Sequence, residues 1–287
     1  MRFYKYQGAG NDFLIADNRD GAVSESGGVL SFIEDGRQRS IRISDICDRR
    51  YGVGADGLML LEASEDYDFR MTYFNSDGSG GMMCGNGGRC IVAFAADMGL
   101  THFDFTAADG FHTAQILRAE GAQKTVRLKM KDVSEFARYE SLAGVDVPSD
   151  GWFLDTGTRH YVRFIEGMEA YDIVSEGRDI RFNAQELQPV GANVNFVEPF
   201  EGGIKVRTYE KGVEDETFAC GTGIVASAIA SYLEGVACGF VQERVSYTVY
   251  AKKDTLSVDF IDSESVCRSF EDVWLTGTAT RVAEIIL

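Results

Sequence analysis

Proline, histidine and positive charge are all scarce in this chain. Its 287 residues include three prolines and three histidines, and 28 Lys and Arg residues stand against 45 Asp and Glu, which gives a formal net charge of −17. Such an acidic chain is poorly suited to bind nucleic acid or anionic lipid. No segment approaches the ~18 apolar residues of a transmembrane helix, and the N-terminus lacks the apolar core of a secretory signal. We therefore expect a cytoplasmic protein that binds neither nucleic acid nor membranes.

The spacings of a structural metal site are also missing. No Cys-x2-Cys pair occurs, and His102, His112 and His160 form no paired spacing. Six cysteines are present, at positions 47, 84, 90, 220, 238 and 267. Without a secretory signal they are expected to remain reduced thiols. We expect no metal, and we interpret Cys47, Cys90, Cys238 and Cys267 as small buried apolar residues.

An internal repeat is the most informative feature of the sequence. Residues 70–87 (RMTYFNSDGSGGMMCGNG) align with residues 206–223 (VRTYEKGVEDETFACGTG), so that Cys84 corresponds to Cys220. Upstream, Val53-Gly54-Ala55-Asp56 aligns with Val190-Gly191-Ala192-Asn193, and Gly10-Asn11 aligns more weakly with Gly157-Thr158. The matches keep their order and nearly constant spacing. The chain is therefore interpreted as two copies of one unit of roughly 135 residues.

Each Cys-Gly-x-Gly sequence lies between a strand-like and a helix-like run. Alternating apolar residues precede it at 69–74 and 204–209, and apolar helical runs follow it at 88–98 and 224–234. Gly99 and Gly235 are typical helix stops. Because both runs are apolar on nearly all faces, we expect both helices to be deeply buried. Further strands are predicted at 58–62, 126–130, 161–165, 194–197, 245–250 and 256–261.

These elements predict an α+β fold with two pseudo-symmetric lobes, each a curled, mostly antiparallel sheet around a central buried helix. We place the N-terminal lobe at residues 1–132 and the C-terminal lobe at 133–275, with the crossover in the polar stretch Lys131–Gly151, which contains Pro148. We allow for a C-terminal strand, at about residues 276–287, joining the first lobe.

The two motif cysteines each stand directly before a helix. Free backbone N–H groups and a partial positive charge at that position lower a thiol pKa and form an anion site suited to a carboxylate. Two such thiols on opposite sides of one carbon suit stereoinversion. One thiolate removes a proton from one face, and the other thiol donates a proton to the opposite face. We therefore expect Cys84 and Cys220 to face one another across a shared site.

Six segments carry a resemblance to a known family: QGAGNDF (7–13), DRRYGVGADG (48–57), FNSDGSGGMMCGNGGRC (74–90), DTGTRHYV (155–162), GANVNFVEP (191–199) and RTYEKGVEDETFACGTG (207–223). They span nearly the whole chain, and in them it resembles the diaminopimelate epimerases. The resemblance implies an isomerase of lysine and peptidoglycan-precursor biosynthesis that interconverts LL- and meso-diaminopimelate. It also implies independence of pyridoxal phosphate, of any other cofactor and of metal, a cleft between the two lobes as active site, and a homodimer.

The resemblance further implies roles for individual residues. Cys84 and Cys220 would be the acid and base. The other implied site residues are Gly85, Asn86, Gly221 and Thr222 for the carboxylate at the reacting centre, Asn11, Asn75, Thr158 and Asn193 for further substrate contacts, Glu210 and Lys211 for substrate binding, and His160 with Glu210 for the protonation of the thiols.

Some positions depart from the family pattern. Lys211 stands where the family usually has an arginine that clamps the distal carboxylate, and lysine cannot make the bidentate pair. Thr158 stands where some members have Asn, and Gly57 where some have Gln, so we expect Gly57 to enlarge the pocket. Residues 23–44 form a longer and more charged excursion than the family needs, which we interpret as peripheral.

Other functions remain open on the residues alone. They are a racemase of the same superfamily acting on another amino acid, a cysteine hydrolase pairing Cys84 or Cys220 with His160, and a carboxylate-binding protein without catalysis. Gly52-x-Gly54-x-x-Gly57 matches a dinucleotide-binding motif. A strand-like run follows it where that motif requires a helix, so we do not expect a nucleotide site.

Overall fold

The chain folds into two compact units. The computed structural model describes residues 1–237, 244–263 and 268–286. Unit 1 comprises Met1–Leu128 and Gly277–Leu287, and unit 2 comprises Lys129–Thr276. The stretch 131–151, expected as a crossover, belongs entirely to unit 2 and includes a strand, Phe136–Tyr139.

Unit 1 is built mainly from strands around one long helix. Its elements are β1 (Arg2–Gly8), β2 (Asn11–Asn18), β3 (Ser24–Ser26), β4 (Val29–Glu34), β5 (Arg37–Arg42), α1 (Ile43–Cys47), β6 (Gly57–Glu62), β7 (Phe69–Asn75), α2 (Gly85–Asp97), β8 (Asp104–Ala107), β9 (Gly110–Glu120) and β10 (Gln123–Lys129). In its main sheet the strand order is β1-β2-β6-β7-β8-β9-β10. The pairs β2–β6 and β7–β8 are parallel, and the others are antiparallel.

The sheet of unit 1 curls around α2. The helix contacts β1, β2 and β6 near one end of the strand order and β9 near the other. Its residues from Gly85 to Ala95 are all buried, because the sequence is apolar on every face of this segment. This confirms the expected central helix.

Unit 2 repeats this arrangement. Its elements are β11 (Phe136–Tyr139), β12 (Gly151–Asp155), β13 (Arg159–Phe164), a 3₁₀ turn (Met168–Ala170), α3 (Ile173–Asn183), a second 3₁₀ turn (Gln185–Leu187), β14 (Asn193–Phe200), β15 (Gly203–Glu210), β16 (Asp215–Thr217), α4 (Gly221–Ala237), β17 (Arg244–Tyr250), β18 (Thr255–Ser263) and β19 (Ser269–Ile286). The last residues of β19 belong to unit 1, where Thr280–Ile286 pairs with β1.

The internal repeat is visible in the strand order. In unit 2 the order β12-β13-β14-β15-β17-β18-β19 again has two parallel pairs, β13–β14 and β15–β17, at the second and fourth junctions, with the other pairs antiparallel. Helix α4 follows β15 as α2 follows β7, and it contacts β12 to β15, β17 and β18. The expected α+β class, with a mostly antiparallel sheet around a buried helix in each unit, is confirmed.

The units differ in what is inserted between their second and third sheet strands. Unit 1 carries the small sheet β3-β4-β5 and α1, and unit 2 carries α3 and the two 3₁₀ turns. Residues 23–44 were expected to be peripheral, but the structure shows that they are so only in part. Although β3 is exposed along its length, Leu30 and Ile43 are completely buried in the core of unit 1.

The helix ends were predicted less well than the helices. Both begin earlier than the apolar runs, at Gly85 and Gly221. Glycine has low intrinsic helix propensity, so the sequence of the first turn did not indicate a helix. Gly99 follows α2 with a left-handed backbone (φ 91°), as a helix stop requires. Gly235 lies inside α4, which continues to Ala237. Among the described residues no helix combines the length and apolar character needed to cross a membrane.

Candidate active site

Cys84 caps the N-terminus of α2. Its backbone is extended (φ −118°, ψ 154°), and its Sγ accepts a hydrogen bond from the backbone N–H of Gly87 at 3.2 Å. Its carbonyl accepts the first helical hydrogen bond, from Gly88, at 2.8 Å. The residue is exposed. A sulfur so placed meets the positive end of the helix dipole, which favours a thiolate.

Cys220 has the equivalent place in unit 2. It directly precedes α4, and its carbonyl accepts a hydrogen bond from Ile224 N–H at 2.8 Å. The residue is half-buried, and its Sγ lies 3.4 Å from Oγ1 of Thr222. Each motif cysteine therefore stands at a helix start with the same backbone hydrogen bond, but the sulfurs have different neighbours. The lowered thiol pKa predicted for both cysteines stays a prediction.

Asn11 is the centre of a polar network in unit 1. Its Oδ1 accepts a hydrogen bond from Nδ2 of Asn86 at 2.6 Å, and its Nδ2 donates to Oδ2 of Asp56 at 2.9 Å. The guanidinium of Arg49 binds Asp56 and Asp12, each at 2.6 Å. The fold thus brings Asn11 and Asn86, both expected to contact substrate, to the start of α2. Charged groups hold them there.

Asn75 orders the loop that leads to Cys84. It ends β7, its Nδ2 donates to Oγ of Ser79 at 3.0 Å, and its backbone N–H donates to the carbonyl of Ser79 at 2.9 Å. Its contact with substrate stays a prediction.

Gly57 does not enlarge the site, contrary to expectation. A Cβ at this position would lie 2.4 Å from Cε2 and 2.6 Å from the hydroxyl of Tyr73, and 2.5 Å from the carbonyl oxygen of Phe74. The ring of Tyr73 therefore occupies the space that a side chain at 57 would need. A Cβ at Gly81 would lie 2.3 Å from the same ring, and Phe13 packs against it edge-on. Tyr73 is thus clamped on several sides within unit 1.

His160 is completely buried beside the start of α4. Its Nε2 lies 2.9 Å from the hydroxyls of both Thr158 and Thr222, and its Nδ1 lies 3.0 Å from Nδ2 of Asn195. Burial lowers the pKa of His160 to about 3, so the imidazole is neutral near pH 7. Thr158 also donates to Thr222 Oγ1 at 3.0 Å. The predicted residues His160, Thr158 and Thr222 therefore form one cluster, and Thr222 connects it to Cys220.

Asn193, Glu210 and Lys211 come together at the end of β15. The backbone N–H of Lys211 donates to Oδ1 of Asn193 at 2.9 Å. Oε2 of Glu210 accepts a hydrogen bond from Thr217 at 2.7 Å, but burial outweighs this bond and raises the pKa of the Glu210 carboxyl. Lys211 is exposed at the following turn. The roles expected for these three residues stay predictions.

One buried residue next to His160 was missed by the sequence reasoning. Asn195 is completely buried in β14, and its Oδ1 accepts a hydrogen bond from Thr208 Oγ1 at 2.9 Å. The signal was the alternation Asn193-Val194-Asn195, because residues two apart on a strand share a face. Asn195 lies on the same face of β14 as Asn193, a predicted site residue, and this placement indicated that it belongs to the site.

The last glycine of the Cys-Gly-x-Gly motif has different surroundings in the two units. A Cβ at Gly223 would lie 2.3 Å from Oδ1 of Asn195 and 3.2 Å from Cε1 of His160. A Cβ at Gly87 would have Cys84 Sγ, at 3.3 Å, as its nearest neighbour. The second motif therefore needs glycine so that Asn195 and His160 can pack against the first turn of α4.

The other two described cysteines differ from the motif cysteines in their burial. Cys47 and Cys90 are buried. Burial raises the pKa of the Cys47 thiol to about 11 and raises that of Cys90 further. These two fit their interpretation as buried apolar residues. Cys238 and Cys267 lie outside the described residues.

The surroundings of His160 bear on the cysteine-hydrolase alternative. A cysteine hydrolase activates its thiol with an imidazole that becomes imidazolium. In unit 2 burial lowers the pKa of His160 to about 3, which makes the ring a poor base, and its Nε2 meets the hydroxyls of Thr158 and Thr222. This speaks against a hydrolytic Cys220–His160 pair.

The sequence matches a family model described as diaminopimelate epimerase over residues 3–133 and 152–263. A diaminopimelate epimerase of Flavobacterium psychrophilum is 38% identical over 287 residues, covering 99% of this chain and 99% of that protein. A diaminopimelate epimerase of Aquifex aeolicus is also 38% identical, over 290 residues, covering 99% of this chain and 96% of that protein.

Solved structures share the fold at low sequence identity. A PhzF-family phenazine biosynthesis protein from Bacillus anthracis has a TM-score of 0.68 and 15% identity, covering 100% of this chain and 99% of its own. A hydroxyproline epimerase from Agrobacterium vitis, with bound trans-4-hydroxy-L-proline, has a TM-score of 0.66 and 15% identity, covering 99% of this chain and 91% of its own. These likenesses establish the α+β fold class.

Proposed function

The chain belongs to the diaminopimelate epimerase family and is an isomerase, and we propose that it interconverts LL- and meso-diaminopimelate with Cys84 and Cys220 as acid and base. The reaction would need no pyridoxal phosphate and no metal.

The observation that carries the proposal is the equivalence of the two cysteines. Each stands directly before the buried helix of its unit and accepts the same first helical hydrogen bond. Each unit also has the same strand order and the same two parallel junctions. A tight turn before a core helix does not require cysteine in both copies. Two thiols are what proton transfer at both faces of one carbon requires.

The proton balance is simple. One cysteine, as thiolate, takes the α-proton and becomes a thiol, and the electron pair of the C–H bond delocalises onto the α-carboxylate. The other cysteine, as thiol, gives its proton to the opposite face of the carbon and becomes a thiolate. The two cysteines have then exchanged protonation states, so the enzyme is ready for the reverse reaction, or for another forward turnover once protons exchange with solvent.

The helix starts would supply the electrostatic part of the catalysis. The backbone N–H groups of Gly85 and Asn86, and of Gly221 and Thr222, lie in the first turn of their helices, where N–H groups are directed towards the N-terminal side. Directed at the α-carboxylate, they would stabilise the negative charge that develops there in the transition state. In α2 the N–H of Gly87 is already used by Cys84 Sγ.

A racemase acting on another amino acid is the second candidate, and Lys211 keeps it open. The exposed ammonium of Lys211 follows Glu210 and can attract a distal carboxylate. It lacks the fork geometry that makes arginine selective for one. We infer that Lys211 binds the distal carboxylate of diaminopimelate as a point charge.

The test is proton NMR of the reaction in deuterium oxide, with LL-diaminopimelate beside a panel of simple amino acids. In early turnover the product should carry deuterium at the inverted carbon while the remaining substrate keeps its α-hydrogen, because donor and acceptor are different thiols. Product that retains the substrate hydrogen would contradict the two-thiol mechanism. Turnover of a simple amino acid in preference to diaminopimelate would favour the racemase.

Variants of the two cysteines complete the test. Cys84→Ala and Cys220→Ala should each reduce epimerisation by at least about 10³-fold, since each removes an acid–base group. Because Cys84 Sγ also caps α2, Cys84→Ser keeps a capping acceptor and separates folding from chemistry. Cys47→Ala removes a buried thiol as the matched control and should keep turnover. Near-normal activity in either motif variant would rule the mechanism out.

A further inference from the structure

The side-chain amide of Asn195 has three polar partners in unit 2. It is completely buried in β14. Its Oδ1 accepts from Thr208 Oγ1 at 2.9 Å, and its Nδ2 contacts His160 Nδ1 at 3.0 Å and the carbonyl oxygen of Tyr161 at 3.3 Å. The first turn of α4 leaves room for this amide only because residue 223 is glycine. A buried amide with three hydrogen-bond partners fixes the orientation of the groups around it.

The orientation of this amide follows from its neighbours. A backbone carbonyl can only accept a hydrogen bond, so the atom that faces Tyr161 must be the NH₂ group. The same NH₂ group then faces His160, and the amide oxygen faces the hydroxyl of Thr208, which donates to it. The reverse orientation would place the amide oxygen against the Tyr161 carbonyl, and that contact is repulsive.

The amide in turn selects one tautomer of His160. Because Nδ2 of Asn195 donates to Nδ1, that ring nitrogen must be the acceptor, and in a neutral imidazole the proton is then on Nε2. Burial keeps the ring neutral even though the charge of Asp155 favours the imidazolium. The N–H of Nε2 points at the hydroxyls of Thr158 and Thr222, both at 2.9 Å.

The hydroxyl of Thr222 connects the protonated Nε2 of His160 to the sulfur of Cys220. Thr222 Oγ1 accepts from Thr158 and lies within reach of His160 Nε2–H, so its lone pairs are used by donors. Its own proton is then free to point at Cys220 Sγ, 3.4 Å away. With the opposite tautomer, the Thr222 proton would instead be drawn to the unprotonated Nε2, and the sulfur would lose the hydrogen bond from Thr222.

We propose that Asn195, held by Thr208, is a positioning residue that fixes His160 as the Nε2–H tautomer and thereby turns the Thr222 hydroxyl into a hydrogen-bond donor to Cys220. Its effect on turnover rests on the proposed function. The tautomer and the reactivity of the sulfur do not, and both can be measured without substrate.

The first measurement is a long-range ¹H–¹⁵N NMR spectrum of the uniformly labelled full chain. Only three histidines are present, and His102→Gln and His112→Gln remove the other two signals in turn. We expect His160 to show a pyrrole-type Nε2 and a pyridine-type Nδ1. A pyridine-type Nε2 would overturn the proposal. In Asn195→Ala the tautomer preference should be lost or reversed.

The second measurement is the rate at which iodoacetamide alkylates each cysteine at pH 7, followed by mass spectrometry of peptides. Asn195→Ala should slow alkylation of Cys220 about threefold to tenfold, because thiolate reacts and thiol does not. Cys84 is the internal control, since its donor is the Gly87 N–H in the other unit. An unchanged Cys220 rate, or equal changes at both cysteines, would overturn the proposal.

Three further variants keep the test decisive if Asn195→Ala does not fold. Thr222→Val keeps the shape but removes the hydroxyl, so it should slow Cys220 alkylation while leaving the His160 tautomer unchanged. Thr208→Val should weaken the tautomer preference, and Thr208→Ser should retain it. If these results hold but no epimerisation of diaminopimelate is found, the proposed function fails and the positioning role of Asn195 stands.

Discussion

Units 1 and 2 share a strand order, a buried helix and a cysteine at the helix start, but they surround the two thiols with opposite kinds of chemistry. In unit 1 the residues near the helix start are held by ion pairs, with Arg49 joining Asp12 and Asp56. In unit 2 the corresponding layer is neutral and consists of His160 and Asn195 with threonine hydroxyls. Duplication has therefore preserved the placement of the thiols and has left the supporting layer free to diverge.

The divergence suits the proposed reaction. In the proposed reaction one sulfur acts at each face of the α-carbon, and each sulfur removes or delivers one proton. Both units therefore need a thiol and a helix start. The rest of the substrate is not symmetric about that carbon, so the groups around each thiol need not match. The two cysteines are consequently expected to differ in reactivity.

The largest expected difference between the units concerns the last glycine of each motif. In Gly223→Ala the new Cβ would lie 2.3 Å from Asn195 Oδ1, so we expect a loss of about 2–3 kcal/mol in the free energy of unfolding and a fall in turnover of more than about 10²-fold. In Gly87→Ala the nearest atom is 3.3 Å away, and we expect less than about 1 kcal/mol. Urea unfolding and initial rates measure both effects.

Gly235→Ala is the matched control for that pair, because it lies in the same helix as Gly223 and a Cβ there meets no atom of the described residues within 4 Å. It should be neutral or stabilise α4 by up to about 1 kcal/mol. Equal effects of Gly223→Ala and Gly87→Ala would erase the proposed distinction between the two helix starts.

Acid should destabilise unit 2 before unit 1. The pKa of His160 is about 3 when folded and 6.5 when exposed, so the unfolded chain binds more protons between these values and stability falls as pH drops below 6.5. At pH 5 the loss approaches about 2 kcal/mol. In unit 1, burial raises the pKa of Asp12, but hydrogen bonds from Arg49 and Lys5 outweigh it, so the stabilisation by Asp12 is lost only at lower pH.

Hydrogen exchange at pH 5 and pH 7, corrected for intrinsic rates, locates this effect. Amides of β13 and β14 should lose protection at pH 5 more than those of β2 and β6. His160→Gln should abolish the difference, and His102→Gln should not. Equal loss of protection in both units would show that His160 does not govern the acid response.

The smallest expected difference concerns the accessibility of the thiols. Cys84 is exposed and Cys220 half-buried, so with native protein and no substrate a bulky maleimide should modify Cys84 several-fold faster. Cys47 and Cys90 should react only after unfolding, because both are buried and their thiol pKa values are raised. Faster modification of Cys220 would reverse this order, and peptide mass spectrometry distinguishes the cases.

The repeat and its motif cysteines were predictable because they leave local signals. Alternation marked the strands before Cys84 and Cys220, and continuous apolar runs marked α2 and α4. The strands before the two cysteines and the helices after them were therefore predicted from the sequence, as was the α+β class. The helix starts were not, since Gly85 and Gly221 have poor helix propensity. In unit 1 the first turn is stabilised by the side chain of Cys84, which caps it.

The supporting layer was not predictable, because it depends on contacts between residues far apart in the chain. The packing of the Tyr73 ring against Gly57 and Gly81 is invisible to any periodicity. The same holds for Asn195, which meets His160, 35 residues away. The expectation that Gly57 opens the pocket failed for this reason: an absent side chain leaves space only if no other residue fills it.

The path of β19 has a consequence for biosynthesis. The first strand of the chain, β1, pairs on one side with β2 and on the other with Thr280–Ile286, the last part of β19. The N-terminal unit can therefore acquire its full sheet only after residues 280–286 have been synthesised, whereas most domains complete in the order of synthesis. Until then, one edge of β1 is an open strand, and truncation before residue 280 would leave it so permanently.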